Sequence, residues 1–184
     1  MAGDDAAEAP MLPADAPERT RTVSWEDPLA ATQAAATLSG IEHLRAIKER
    51  RLPAPPIAVL LGFGIEEVGE GHVTFSVVPG EHHYNPIGVV HGGLAATLLD
   101  SAMGCAIHSL LPQGRGYTTL EIKVSYVRAL KRETGPVRAT ARVVHMGGRV
   151  ATAEGRIVDA TGRLYAHATT TCLLFGDKGR QGVS

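Results

Sequence analysis

Between Pro86 and Leu111 the chain carries one formally charged side chain, Asp100. Leu94, Ala95, Ala96, Leu98, Leu99, Ala102, Met103, Ala106 and Ile107 surround most of a helical circumference. A helix that is apolar on most sides must be buried by something else. The stretch 86–111 therefore predicts one long internal helix. Gly92, Gly93, Ala95, Ala96 and Gly104 are small, so a covering layer can approach closely. A carboxylate in such a helix costs on the order of several kcal/mol unless it is paired, hydrated or neutralised. Two readings of Asp100 stay open on this ground: a structural hydrogen bond, or a general base or nucleophile at an active site.

The cover is legible on both sides of the helix. Val73, Phe75 and Val77 alternate with Thr74, Ser76 and Val78 as in a strand, and Gly69-Glu70-Gly71 bends the chain just before it. Four alternating runs follow the helix. Leu120, Ile122, Val124 and Tyr126 share one face of the first, and Val137, Ala139, Ala141 and Val143 one face of the second. Residues 149–158 make the third run, and Leu164, Ala166, Ala168, Thr170 and Cys172 line the fourth. Period-two patterning predicts a half-buried antiparallel sheet. Gly135-Pro136, Met146-Gly147-Gly148-Arg149 and Asp159-Ala160-Thr161-Gly162 supply hairpin-type turns. The order strand, helix, four strands predicts an α+β domain over 63–175, with the sheet curled around the helix.

Upstream, residues 1–22 are rich in Ala, Pro and acid, a composition that predicts disorder. Residues 23–62 read as a helical arm and linker. Asp27-Pro28 opens a helical stretch, and Ser39-Gly40-Ile41-Glu42 has a capping-box pattern. Ile41, Leu44 and Ile47 lie opposite Arg45, Lys48 and Arg51, and Pro53, Pro55 and Pro56 end the helix. The arm, helical over 24–52, is expected to be a structural cover. Residues 176–184 are expected to form a flexible tail.

A net charge of −1 gives no electrostatic case for nucleic acid or an anionic membrane as the main partner. No apolar run approaches the ~20 residues that span a bilayer. The acidic start Met1-Ala2-Gly3-Asp4-Asp5 does not read as a secretory signal. Cys105 and Cys172 form no CxxC pair; two buried free thiols are expected, which fits a reducing cytoplasm. His82, His83 and His91 are close in sequence, but a tandem pair in a turn reads as solvated, and no metal site is expected. Arg128 with Lys131-Arg132 reads as a solvated strand end that could instead meet phosphates. No G-x-S-x-G elbow suggests a serine hydrolase.

The helix start carries its own signal. Asn85-Pro86-Ile87-Gly88 is a turn sequence, and His91-Gly92-Gly93 follows at or near the first helical turn. Two glycines there cost ~1 kcal/mol each in helix stability. Their bare backbone lets a ligand oxygen reach N–H groups at the positive end of the helix dipole, a geometry that polarises a carbonyl. Close helix–sheet packing is the structural alternative. Gly92 and Asp100 are eight residues apart, so ~12 Å separates them along the axis. They cannot act on one carbonyl from the same chain. A site using both requires a dimer.

The run Asn85 to Gly93 with Leu99-Asp100 beyond it, in the spacing N-x5-HGG-x6-D, resembles the PaaI-type branch of the hotdog thioesterases. Residues 117–128, Tyr117 to Arg128, are similar to the strand that follows the helix there. The resemblance covers about residues 63–175. It implies a hotdog fold and a homodimer, often paired into tetramers, with active sites at the subunit interface. It implies that Asn85 and the Gly92 N–H polarise a thioester carbonyl and that Asp100 of the partner chain activates water or attacks. Thr119 would help place that water, and His91 would shape the helix start. Gly93, Gly148, Arg149 and Arg128 would contact CoA, which is part of the substrate; no separate cofactor is implied. Leu98, Leu99 and Met103 are candidates to line the acyl pocket. A hotdog hydratase or dehydratase, and a non-catalytic acyl-CoA-binding module, are the alternative readings. Asp100 argues against a pure binder, which has little use for an acid in an apolar helix.

Overall fold

In a computed structural model, residues 17–176 are described. The tails expected over 1–22 and 176–184 thus fall largely outside the described residues. Three short helices precede the sheet: α1 (Pro28–Ala35), α2 (Gly40–Lys48) and α3 (Pro56–Leu61). The two start signals of the arm, Asp27-Pro28 and Ser39, open α1 and α2. Asp27 caps α1 by accepting from the Leu29 N–H (2.8 Å). At α2 the Glu42 carboxylate accepts from both the Ser39 N–H (2.9 Å) and the Ser39 hydroxyl (2.6 Å). Those bonds, the hydroxyl's foremost, hold the Glu42 carboxyl below its usual range. The prolines behave differently from expectation. α2 ends at Lys48, ahead of all three, and Pro56 starts α3, where its missing N–H would have had no partner anyway.

Six strands form one antiparallel sheet: β1 (Phe63–Gly69), β2 (His72–Val77), β3 (Gly116–Tyr126), β4 (Val137–Met146), β5 (Val150–Asp159) and β6 (Leu164–Phe175). Their spatial order is β1-β2-β4-β5-β6-β3, so β1 and β3 are the edges. β1 was absent from the sequence expectation because Phe63–Gly69 places Glu66 and Glu67 side by side and breaks alternation. A register shift between Ile65 and Glu67 accommodates them. The Gly69-Glu70-Gly71 bend is the hairpin turn between β1 and β2. At the β5–β6 turn the Asp159 carboxylate accepts from the Thr161 hydroxyl and from the Thr161 and Arg163 amides. The Thr161 hydroxyl leads in holding that carboxyl down to about 2.

The central helix is α4 (Gly92–His108), within the apolar block 86–111; it starts at the expected His91-Gly92-Gly93, with residues 86–91 forming a loop and His91 capping the first turn. The sheet wraps α4, which packs against β2, β3, β4 and β5. Close approach follows from small residues on both sides. A Cβ at Gly155 of β5 would lie 3.2 Å from both Leu99 and Met103, and Ala139, Ala141, Ala151 and Ala153 face the helix fully buried. Leu98, Leu99 and Met103 are sealed in this core with at most 1% exposure. In this protomer they pack in the core and line neither of the two cavities described below. The arm closes one end: the Gly40 N–H donates to the Leu111 carbonyl (2.9 Å), and α2 meets β1 and α4. Among the described residues, no helix is long and apolar enough to cross a membrane.

Candidate active site

α4 presents two sets of functional groups, one at its N-terminus and one near its middle. At the N-terminus, the His91 Nδ1 accepts from the Gly93 N–H (2.8 Å), and the Leu94 N–H bonds the His91 carbonyl (3.0 Å). His91 is thus a side-chain cap that uses up the Gly93 amide. Among the described residues, the Gly92 N–H has no partner. It is the free donor at the positive end of the helix. In the preceding loop the Asn85 Oδ1 accepts from the Ile87 N–H (3.1 Å) and the Val89 N–H (3.3 Å). With that oxygen committed, the NH2 end of Asn85 is the one left to donate to a ligand. Gly88, at φ +76, lets the loop close between Asn85 and Val89.

A cavity of about 320 Å³ opens beside this helix start, lined by His91, Gly92, Ala95, Tyr126 and Arg128 among others. The Tyr126 ring lies over Gly92, where a Cβ would sit 3.2 Å from it, and its hydroxyl donates to the Gly92 carbonyl (3.2 Å). Gly92 is therefore bare for two reasons, the free amide on one side and the tyrosine on the other. Arg128 donates to the Leu164 carbonyl (2.6 Å), which anchors its guanidinium at the cavity rim.

Near the middle of α4, the Thr119 hydroxyl donates to Asp100 Oδ1 at 2.9 Å. Asp100 is half-buried, so hydration and this bond together offset the desolvation of the acid. A bulge in β3 makes the contact possible. The register with β6 shifts between Thr119 and Glu121, so Tyr117 and Thr119 face the helix, as do Ile122 and Val124 beyond it. Leu120, expected on the inner face with Ile122, is instead 58% exposed, and Tyr126 is 57% exposed. Unbroken alternation would have turned Thr119 away from Asp100.

Tyr117 and Cys105 flank Asp100 and escaped the sequence reading. Tyr117 packs on Gly104, where a Cβ would meet its hydroxyl at 2.6 Å. Burial chiefly raises the Tyr117 hydroxyl well above its usual range and pushes the Cys105 thiol up to about 12. Both are neutral groups around the acid. Gly104 was the available clue, since a glycine inside a helix marks a close neighbour. Cys172 is buried, whereas Cys105 is only partly so, and both thiols are free.

Gly148 and Arg149 lie in the β4–β5 turn. There the Gly148 carbonyl accepts from Arg115 (3.0 Å) and the Arg149 carbonyl from the Leu174 N–H (2.8 Å). His83, expected to be solvated, is 7% exposed. Its Nδ1 accepts from the Gly80 N–H (3.0 Å), and its Nε2 lies 3.0 Å from the Leu61 carbonyl. No group of three or more potential metal ligands occurs among the described residues.

An antiparallel sheet wrapped around one long helix, with a capped glycine pair at the helix start and an acid eight residues on, defines a hotdog-fold protein. The family comparison agrees: residues 87–166 match the thioesterase superfamily. Two relatives named "Putative esterase" are similar in sequence. One, from Halobacterium salinarum, is 36% identical over 103 residues, covering 53% of this chain and 66% of that one. The other, from Archaeoglobus fulgidus, is 30% identical over 112 residues, covering 61% and 70%. A phenylacetic acid degradation-related protein from Ralstonia eutropha has a similar structure, with TM-score 0.64, 28% identity, and coverage of 71% and 98%. So does a hypothetical thioesterase from Streptococcus pneumoniae solved with coenzyme A, with TM-score 0.57, 28% identity, and coverage of 62% and 87%. The chain belongs to the thioesterase superfamily.

Proposed function

We propose that this protein hydrolyses acyl-CoA thioesters at composite sites, each built from two copies of the chain. The carrying observation is the division of groups along α4: an unpartnered Gly92 N–H at one end and a Thr119-bonded Asp100 eight residues away. The Gly92 N–H and the Asn85 NH2 bind the thioester oxygen, and their partial positive charges stabilise the oxyanion that forms there. Asp100 of the other protomer takes a proton from the attacking water, or adds to the carbonyl itself to form a mixed anhydride that water then cleaves. Thr119 holds the carboxylate in place and orients the water. The thiolate leaves as CoA. The coenzyme A bound to the pneumococcal relative supports this choice of thioester.

The β3 edge favours the assembly. Eleven residues long, it presents Leu120 and Tyr126 to solvent. An exposed apolar edge strand is a pairing surface. Thr119 of β3 touches Asp100, and Tyr126 of the same strand touches Gly92. Two β3 strands paired antiparallel about Ile122–Lys123 bring Thr119 of one copy beside Tyr126 of the other. Each acid then faces the partner's helix start. The cavity beside Gly92, with Arg128 on its rim, receives the pantetheine arm, and Arg149 is a candidate for the distal phosphate. Reducing, cytoplasmic conditions suit the two free thiols.

The test is release of free thiol from a panel of aryl- and fatty-acyl-CoA substrates. Wild-type protein turns over at least one of them, and Asp100→Ala abolishes turnover while the oligomer persists. Undiminished hydrolysis by that variant would remove Asp100 from the mechanism.

A further inference from the structure

A second cavity, larger than the one beside Gly92, lies under the N-terminal arm. It measures about 670 Å³, within the range of small-molecule sites. Its deep wall is apolar. Leu44 of α2, Ala58 of α3, Phe63 of β1 and Phe75 of β2 are buried there, and Cys105 of α4 also lines it. Its outer lining is charged. Lys48, Arg50 and Arg51 gather where α2 ends, against the single carboxylate of Glu26. Arg51 is taken by Glu49 (2.7 Å). Lys48 and Arg50 have no carboxylate partner among the described residues.

Two further features mark this end of the cavity. Arg50 is the sole non-glycine residue with positive φ (+59) among those described. The conformation closes α2 as a Schellman-type helix end, with the Arg50 N–H on the Ile47 carbonyl (3.0 Å) and the Arg51 N–H on the Ala46 carbonyl (2.8 Å). Trp25, the chain's one tryptophan, lines the same cavity and is 56% exposed. An apolar interior with two unpaired cations and an aromatic ring near the opening is complementary to an amphipathic anion.

We infer that the cavity between the arm and the sheet binds a linear carboxylate with an apolar tail, such as a free fatty-acid anion. The tail lies against Phe63 and Phe75, and the carboxylate meets Lys48 and Arg50. Its lining includes Cys105, beside Asp100, but none of the groups assigned to the thioester chemistry, and binding there does not depend on hydrolysis. It takes the chemical class that thioester hydrolysis releases, so under the proposed function it is a product-responsive site.

Trp25 provides the readout. Full-length protein is titrated with sodium dodecanoate below its micellar range while tryptophan emission is followed. The same titration uses dodecyltrimethylammonium, which has the same tail and the opposite charge. Saturable change is expected with dodecanoate, and at least tenfold weaker binding with the cation. Lys48→Glu/Arg50→Glu, both exposed positions, weakens dodecanoate at least tenfold with an unchanged melting temperature. Asp100→Asn binds it as wild type does, and CoA does not compete, even if no thioester is ever hydrolysed. Equal binding of both amphiphiles, no saturation, no effect of charge reversal, or competition by CoA would each overturn the assignment. So would a Trp25 response to protein concentration alone, which would mean that a second copy covers the cavity.

Discussion

Lowering the pH from 7.5 to 4.5 should cost the fold about 2.5 kcal/mol through one side chain, His108, because its folded form takes up a proton only near pH 4. His108 is the last residue of α4. Its Nε2 lies 3.1 Å from His43 Nδ1 of α2, its ring stands 5.8 Å from that of Tyr117, and its Nδ1 is buried without a hydrogen-bond partner among the described residues. Burial first, and then the neighbouring His43, depress its pKa to about 4 from the ordinary 6.5. Burial also lowers the His43 pKa. The unfolded chain binds the proton near 6.5 and the folded chain does not. The stability from neutral His108 is therefore complete above pH 6.5 and is lost as pH falls toward 4. The full gap corresponds to ~3 kcal/mol, most of it spent by pH 4.5. Urea unfolding at both pH values, on wild type and on His108→Phe, isolates the contribution from that of the carboxylates. The wild type should lose about 2–3 kcal/mol more than the variant. Parallel losses in the two proteins would refute the reasoning.

Two further outcomes follow from the packing. Thr119→Val removes the 2.9 Å bond to Asp100 without changing volume much. Bonds to charged groups contribute ~1.5–3 kcal/mol, so kcat should fall by roughly tenfold or more while KM changes little; steady-state kinetics with any accepted acyl-CoA reads it. Gly155→Val forces methyl groups into the 3.2 Å gap against Leu99 and Met103. It should destabilise the fold by about 1–3 kcal/mol, measured as a lower urea midpoint with an unchanged slope.

The architecture was legible wherever one periodicity ran unbroken. The apolar circumference of Leu94 to Ile107 marked α4, and the strict alternation of Val137, Ala139 and Ala141 marked an inner face of the sheet. It was lost where an irregularity interrupted the period. The Glu66-Glu67 pair hid β1, and the bulge after Thr119 reversed Leu120. The helix start was legible in His91-Gly92-Gly93, and the apolar residues before it belong to the loop that the His91 cap separates from α4. At the site, the residues with a distinct chemical signature were visible: Asp100 as a lone charge, Asn85 in a turn, Gly92 at a helix start. Tyr126 over Gly92, and Tyr117 with Cys105 around the acid, come from non-local packing, which no window of sequence encodes. The arm cavity unites residues from 24 to 105, and its form depends on how three short helices settle on β1 and β2.

Subunit complementation tests the shared site most directly. Asp100→Asn and Asn85→Ala variants, each impaired alone, are unfolded together, refolded as a mixture and assayed for thioester hydrolysis. In a mixed dimer, one of the two sites joins an intact Asp100 to an intact Asn85. Random pairing makes half the dimers mixed, so activity should return to about a quarter of wild type. A mixture no more active than its separate components, with mixed dimers verified by mass, would contradict a site built from two chains.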